Sequence, residues 1–211
     1  GRQHDFVEAE KRMGRTQPEQ ITALVGYAGG QTPENGPVCY YGGPEGSLYD
    51  TLGHAEVTQT TLSTDPKEAE MMIEEFAKTY FAQFRKTPFG MQRQDPQDMG
   101  AGYRSVIGLP GGIRSPYMDI IRRQNVNNMK ILQGGSARKD DDKFNALYVY
   151  DSDEFPFFQA EAYHQMHDGL GYAFPTEYTV GLKRAQSEQG RVKSVGCPEL
   201  RSRPFLAAPP A

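Results

Sequence analysis

The alternation of apolar and polar positions predicts short helices and short strands in turn along the chain. Helices are predicted over 5–14, from Asp65 onward and over 115–129. Strands are predicted over 21–27, 54–62, 103–107 and 143–150, where apolar residues are β-branched or alternate with polar ones. This order indicates an α+β domain, a two-layer sandwich around a small mixed β-sheet with long loops.

Two of the predicted helices carry start signals. Asp65 precedes Pro66, and Ser115 precedes Pro116, so each pair offers a capping side chain followed by a proline at the first helical position. Beyond Asp65, large apolar side chains recur every four residues, which predicts a stripe facing the core: Met72, Phe76, Tyr80 and Phe84.

Composition narrows the class of protein. The 211 residues include 23 Gly and 15 Pro, which predicts many turns in one domain, over 1–190, followed by an irregular tail over 191–211. We expect the last residues of that tail to be frayed. The net charge of -4 argues against nucleic acid as a partner. No apolar run approaches the roughly 20 residues that span a bilayer, so we expect no membrane insertion.

The two cysteines favour a reducing compartment with redox-active thiols over a disulfide scaffold. We therefore expect a soluble intracellular protein of the cytoplasm or of an organelle matrix such as the plastid stroma. Cys197 lies between Gly196 and Pro198, so we expect it to be mobile and accessible. Cys39 lies in a loop whose sequence gives little indication of the environment of its thiol. Gly1 is not an initiator Met, which leaves room for a removed targeting segment.

Two segments could carry acid chemistry. In the segment Gly53-His54-Ala55-Glu56, strand alternation puts His54 and Glu56 on one face, where burial would raise the pKa of the Glu56 carboxyl and make it a general acid. In the second, glycines bring Asp98 and Tyr103 to the mouth of a strand. A solvent-facing polar pair and an ordinary glycine-rich turn are the structural alternatives.

Metal chemistry is less well supported by the sequence. His164 and His167 have the spacing of ligands on one helix face, but no third ligand is indicated, so we expect packing and no metal. The spacing of His54 and Glu56 also occurs in zinc deaminases, which need a downstream Pro-Cys-x-x-Cys that this chain lacks.

Taken in order, four motifs resemble the methionine-S-sulfoxide reductase A family. They are GYAGG at 26–30, GHAEV at 53–57, D-x-G-x-x-YRS over 98–105 and QAEAYHQ at 159–165. The loop with VCYY and the closing GCPE resemble a branch with a longer loop and a carboxy-terminal cysteine. The fold expected with this resemblance has a ferredoxin-like core.

The resemblance implies a role for each matching residue. Glu56 would give a proton to the departing sulfoxide oxygen, Tyr103 would hydrogen-bond that oxygen, and Asp98 would orient the site. The GHAE motif contributes Gly53 and His54 to substrate binding, and a loop tyrosine completes the oxygen pocket. Tyr40, Tyr41 and Tyr49 compete for that position, with Tyr40 or Tyr41 favoured. Cys197 would be the resolving thiol, and an external dithiol such as thioredoxin, with no bound cofactor, would be the reductant.

One departure from the family is serious. Its nucleophile lies in GCFWG at the start of the first helix, but this chain has no Trp and opens with Gly1-Arg2. Either Gly1 is the second glycine, so that the cysteine precedes it, or Gly1 is the first and Arg2 replaces the cysteine. In both cases the 211-residue chain should not turn over.

Two functions therefore stay open. The full-length protein reduces methionine-S-sulfoxide, free or in oxidised proteins, or it is a pseudoenzyme, a non-catalytic binding or structural subunit of a larger assembly.

Overall fold

The computed structural model describes residues 2–34, 36–94, 98–135, 143–169 and 172–199. The helices are α1 (Arg2–Arg12), α2 (Pro66–Phe81), α3 (Met118–Gln124) and α4 (Lys183–Glu188), the last continuing a π-helical stretch over Glu177–Leu182. The strands are β1 (Leu24–Ala28), β2 (Ala55–Gln59), β3 (Phe84–Thr87), β4 (Gly90–Arg93), β5 (Val106–Leu109), β6 (Lys130–Gln133), β7 (Ala146–Asp151) and β8 (Phe158–Gln159). The protein is thus α+β, as the pattern predicts.

The strands of the described residues form three small sheets rather than one. The first has the order β2-β1-β8 with antiparallel pairs, the second is the hairpin β3-β4, and the third has the order β5-β7-β6 with parallel pairs. The expectation of a single small mixed sheet is corrected on this point. Among the described residues no strand joins the edge of β2 to the edge of β5, so antiparallel and parallel pairs stay in separate sheets.

Local signals explain where α2 begins but not where α3 does. Asp65 is the N-cap of α2, and its side chain accepts hydrogen bonds from the backbone N–H groups of Lys67 and Glu68, each at 3.0 Å. Ser115 instead closes a 3₁₀ turn, so α3 starts later than its proline predicts, after Tyr117.

The main core lies between α2, α3 and the parallel sheet. Its buried members are Ile73, Ala77, Phe81, Leu109, Met118, Ile120, Ile121, Met129, Leu147 and Val149. A second cluster joins α1 to the π-helical stretch through Val7, Ile21, Ala23, Met166, Tyr178, Leu182 and Val192. Burial of these apolar side chains holds α2 against the parallel sheet, and α1 lies beside β2 of the first sheet; the candidate site forms between them.

The described part of the tail, residues 191–199, differs most from what the sequence predicts. Cys197 is only 8% exposed and forms a disulfide with Cys39, with Cα atoms 5.6 Å apart. Glu199 adds two hydrogen bonds, from the backbone N–H groups of Ala162 at 2.9 Å and Tyr163 at 3.1 Å. The expectation of a mobile, accessible Cys197 is therefore wrong, because the bridge and these bonds hold residues 197–199 against the domain. The frayed end expected beyond residue 199 lies outside the described residues.

Candidate functional site

Glu56 lies at the start of β2, opposite Tyr27 of β1, and faces a cavity of about 590 Å³. Burial, followed by the negative charge of Asp98, raises the pKa of the Glu56 carboxyl to about 7. A substantial fraction of this carboxyl is therefore protonated at neutral pH. Such a group can donate a proton to an oxygen bound in the cavity.

Two tyrosine hydroxyls meet close to Glu56. Tyr103, at the end of a 3₁₀ turn before β5, shares a hydrogen bond with Tyr40 from the loop before β2, with 2.7 Å between the oxygens. Burial, followed by the bond to Tyr40, raises the pKa of the Tyr103 hydroxyl, and the Glu56 charge acts in the same direction. Tyr103 therefore stays neutral and keeps an O–H group for hydrogen bonding.

The loop tyrosines are ordered by stacking. The Tyr40 ring is parallel to the Tyr49 ring, with 5.1 Å between centroids and 10° between planes. Tyr49 in turn stacks on Tyr27 of β1 at 4.9 Å. Tyr41 lies outside this stack and is 38% exposed. Of the two tyrosines favoured from sequence, the structure places Tyr40, not Tyr41, in hydrogen-bonding contact with Tyr103.

Asp98 and the start of α1 lie at the same cavity. Asp98 Oδ2 is 3.6 Å from Arg2 Nε, and both side chains line the cavity with Glu56 and Tyr103. Arg2 is in the first turn of α1, where the unpaired N–H groups of the helix favour a negative charge. A thiolate placed at this helix end would be stabilised in the same way.

Gly53 and His54 hold the backbone rather than face the cavity. His54 is 1% exposed; its Nδ1 accepts from Gly30 N–H at 3.1 Å and its Nε2 donates to Gln31 O at 2.9 Å. Burial lowers the pKa of His54 to about 4, so the ring is neutral. The sequence predicts that His54 and Glu56 lie on one face of a strand. In the structure Glu56 lines the cavity but His54 does not, because His54 precedes β2 and points at the loop after β1.

Arg104 is a buried residue that links three segments around the site, and it is not among the site residues predicted from the sequence. It is 2% exposed, and its guanidinium donates to Gly29 O at 3.2 Å, Gly53 O at 3.1 Å and the Tyr150 hydroxyl at 2.9 Å. It thereby joins the loop after β1, the turn before β2 and the strand β7. Its position in the YRS motif beside Tyr103 is the sequence signal that could have indicated it.

Glu161 is a second buried carboxylate beside the site. It is 0% exposed and accepts from the Tyr27 hydroxyl at 2.7 Å and from Tyr40 N–H at 2.8 Å. One of its oxygens lies within 4.8 Å of the sulfurs of Cys39 and Cys197. The disulfide and the tyrosine pocket are thus joined through a single side chain.

The histidine pair is packed among aromatic rings. The His164 ring lies 4.6 Å from the Tyr40 ring and 4.3 Å from the Tyr163 ring, and 6.1 Å from the His167 ring. Burial, followed by the His167 charge, lowers the pKa of His164 to about 4. Among the described residues, the one cluster of three close metal-ligand atoms is Cys39, Glu161 and Cys197, and its two sulfurs are bonded to each other.

Within the part of the chain that the structure describes, no cysteine is free. No helix there is both long enough and apolar enough to span a bilayer. Comparison with protein-family models, with curated proteins and with solved structures finds no match to this chain.

Proposed function

We propose that the natural protein reduces methionine-S-sulfoxide, free or in oxidised proteins, by thiol chemistry. The observation that carries this proposal is the carboxyl of Glu56, with its pKa near 7, in one cavity with Tyr103, whose hydroxyl is hydrogen-bonded to that of Tyr40. A sulfoxide oxygen needs hydrogen-bond donors while it is bound and a proton as it leaves. A buried acid beside a hydrogen-bonded pair of phenols offers both.

In the proposed reaction a thiolate attacks the sulfoxide sulfur and the S–O bond of the substrate breaks. The oxygen leaves bonded to the attacking sulfur, so methionine sulfoxide becomes methionine and the thiol becomes a sulfenic acid. Glu56 supplies the proton that the oxygen takes up, and the hydroxyls of Tyr103 and Tyr40 hold the oxygen meanwhile. Burial, followed by the charge of Asp98, raises the pKa of Glu56 and so favours the protonated acid that the step needs.

The nucleophile is expected in a Cys-Phe-Trp segment directly before Gly1, at the amino end of α1. A resolving thiol then attacks the sulfenic acid and releases water, and an external dithiol such as thioredoxin reduces the resulting disulfide. Cys197 is the proposed resolving residue. Because it is bonded to Cys39, that bridge must be reduced before Cys197 can attack. The proposed compartment is the cytoplasm or an organelle matrix such as the plastid stroma.

The test is amino-terminal sequencing of the protein from its natural source, followed by a turnover assay. We expect Cys-Phe-Trp immediately before Gly1 and reduction of methionine-S-sulfoxide, but not of the R epimer, with a dithiol. A natural protein with another residue at that position and no turnover contradicts the proposal.

One observation favours the second function, a non-catalytic subunit of a larger assembly. Arg2 lines the cavity and lies 3.6 Å from Asp98, so a cation occupies the helix end where the thiolate is expected. If Arg2 stands in the nucleophile position, the cavity binds without reacting. Binding of methionine sulfoxide by equilibrium dialysis, in the absence of turnover, distinguishes this function from the first.

A further inference from the structure

Three segments that meet at one corner of the protein carry positive charge and no negative charge. They are residues 84–94, 125–133 and 143–148, which contribute the hairpin β3–β4, the strand β6 with the turn before it, and the start of β7. None of them contains Asp or Glu, and their basic residues are Arg85, Lys86, Arg93, Lys130 and Lys143. Because the chain as a whole has a net charge of -4, this corner is opposite in sign to the rest of the protein.

Asn145 holds the three segments together. Its side-chain oxygen accepts a hydrogen bond from Met91 N–H at 2.8 Å, and its backbone oxygen accepts one from Lys130 N–H at 2.5 Å. Gly90 lies so close that a Cβ atom there would come within 2.3 Å of Asn145 Nδ2. The turn of the hairpin and the turn before β7 are therefore packed against each other, with the start of β6 beside them.

The two phenylalanines that are exposed among the described residues lie on these two turns. Phe89, at the tip of the hairpin, is 76% exposed, and Phe144, directly before Asn145, is 59% exposed. Thr87 fixes the backbone of the tip, since its hydroxyl donates to Gly90 O at 2.7 Å and accepts from Phe89 N–H at 3.2 Å. Large apolar side chains that are exposed together in this way indicate a surface that binds something apolar.

Four cations surround the two phenylalanines without a charged partner among the described residues. All four are exposed, and none forms an ion pair with a described carboxylate: Arg85, Lys86, Lys130 and Lys143. Asp95 and the aspartates at 140–142 adjoin these segments in sequence and lie outside the described residues. Positive charge that is not neutralised by the protein attracts an anionic surface.

Shape and charge together favour a lipid surface as the partner. The phenylalanines project from the tips of two turns, and neither lines the cavity of the candidate site. A protein partner would need a complementary groove for each projecting ring, whereas lipids rearrange around it. Aromatic side chains beside lysines and arginines are also the composition of surfaces that bind at the headgroup level of anionic bilayers.

We propose that this corner docks on the surface of an anionic membrane. Phe89 and Phe144 contact the boundary between headgroups and acyl chains, and the four cations lie over the lipid phosphates. The contact is peripheral and spans nothing. It is separate from the proposed reductase chemistry, because no residue of the docking corner takes part in that chemistry.

Sedimentation with vesicles tests the role of charge in the whole 211-residue chain, so that the aspartates adjoining the corner act on the result. The chain should sediment with vesicles of phosphatidylcholine and phosphatidylserine, but not of phosphatidylcholine alone, and should be released by salt. Lys86→Gln combined with Lys143→Gln should weaken binding about fivefold for each charge removed. Lys67→Gln combined with Lys193→Gln, which removes two exposed cations elsewhere, is the matched control and should leave binding nearly unchanged.

A fluorescent probe tests the role of the phenylalanines. Because the chain has no Trp, Phe89→Trp introduces a single indole. Its emission should shift to shorter wavelength on the phosphatidylserine vesicles and should be quenched by lipids that carry bromine in their acyl chains. Phe89→Ala should weaken binding about tenfold, since the apolar contact is lost. Met71→Ala, at an exposed position of α2, is the control and should bind as the unmodified chain does.

Three outcomes overturn the inference. The first is a chain that does not bind the phosphatidylserine vesicles at low salt. The second is equal weakening by the control substitutions, or a Trp at position 89 whose emission neither shifts nor is quenched on the vesicles. The third is binding of a poly-glutamate peptide through Lys86 and Lys143 without binding of vesicles, because the partner would then be an acidic protein segment. None of these measurements uses turnover, so failure of the reductase proposal would leave them unaffected.

Discussion

The hydroxyl oxygens of Tyr40 and Tyr103 lie 2.7 Å apart although 63 positions separate the residues in sequence. Tyr40 is held from behind by Glu161, which accepts its backbone N–H at 2.8 Å, and by stacking on Tyr49. Tyr103 is held by the turn over Ala101–Tyr103 that precedes β5. The pair is thus fixed from two independent elements before any substrate binds.

The first prediction separates the two loop tyrosines. Tyr40→Phe and Tyr103→Phe should each lower kcat/KM of the natural protein for methionine-S-sulfoxide about tenfold, since each removes one hydrogen bond to the oxygen. Tyr41→Phe is the matched control and should leave kcat/KM unchanged. A loss for Tyr41→Phe equal to that for Tyr40→Phe would show that the wrong loop tyrosine has been assigned to the pocket.

The second prediction concerns the proton donor. Glu56→Gln keeps the size of the side chain but removes its acidic proton, so the rate of sulfoxide reduction should fall by about 10²-fold or more. Glu70→Gln, at an exposed position of α2, is the control and should retain full activity. An unchanged rate in Glu56→Gln removes Glu56 from the chemistry.

The third prediction follows from the pKa of Glu56 and can be made on the 211-residue chain. Its folded pKa is about 7, against an ordinary 4.5, so the folded state binds the proton more tightly than the unfolded state. Protonated Glu56 therefore stabilises the folded state fully below about pH 4.5. As the pH rises to about 7, the free energy of unfolding falls by roughly 3 kcal/mol. Urea unfolding at several pH values should show this decline relative to Glu56→Gln. Parallel pH profiles for the two proteins would mean that the carboxyl is not perturbed.

The fourth prediction concerns the disulfide as a stabilising link. Cys39 and Cys197 are 158 positions apart, so their bridge restricts a very long loop in the unfolded chain. Cys197→Ser should lower the free energy of unfolding by roughly 2–5 kcal/mol under oxidising conditions. Cys39→Ser should cost the same, and the double variant no more than either alone. Independent, additive losses would indicate that the two sulfurs are not bonded to each other.

The fifth prediction concerns recycling in the natural protein. Cys197→Ser should leave the first turnover intact but lower steady-state turnover with thioredoxin more than about tenfold, because the sulfenic acid is no longer resolved. Cys39→Ser is the control and should keep steady-state turnover. Equal recycling by Cys197→Ser and the unmodified protein would assign the resolving role to another thiol.

The sequence by itself determined the class of fold and most of the elements near the site. Local chemistry was sufficient for α2, where Asp65 and the proline after it start the helix, and for β2, where alternation from residue 54 predicts a strand. It also singled out Glu56, Asp98 and Tyr103, which the structure brings to one cavity. These signals come from residues that are close together in sequence, because steric contacts and hydrogen bonds within a short segment are enough to produce them.

The hairpin β3–β4 and the strands β6 and β8 were not predicted. They are short, and they form because another strand pairs with their backbone. The pairing of β6 and β8 depends on strands elsewhere in the chain, which a local pattern does not contain.

Only the tertiary structure decided which polar residues face the cavity and which serve the scaffold. His54 and Arg104 are buried on backbone carbonyls, and Glu161 anchors Tyr40, through contacts between residues 23, 75 and 121 positions apart in sequence. The bridge between Cys39 and Cys197 has the same origin, since their loops meet only after the domain has packed. A residue's type is written in the sequence, but its partners, and hence its charge state and its role, are set by what long-range packing places beside it.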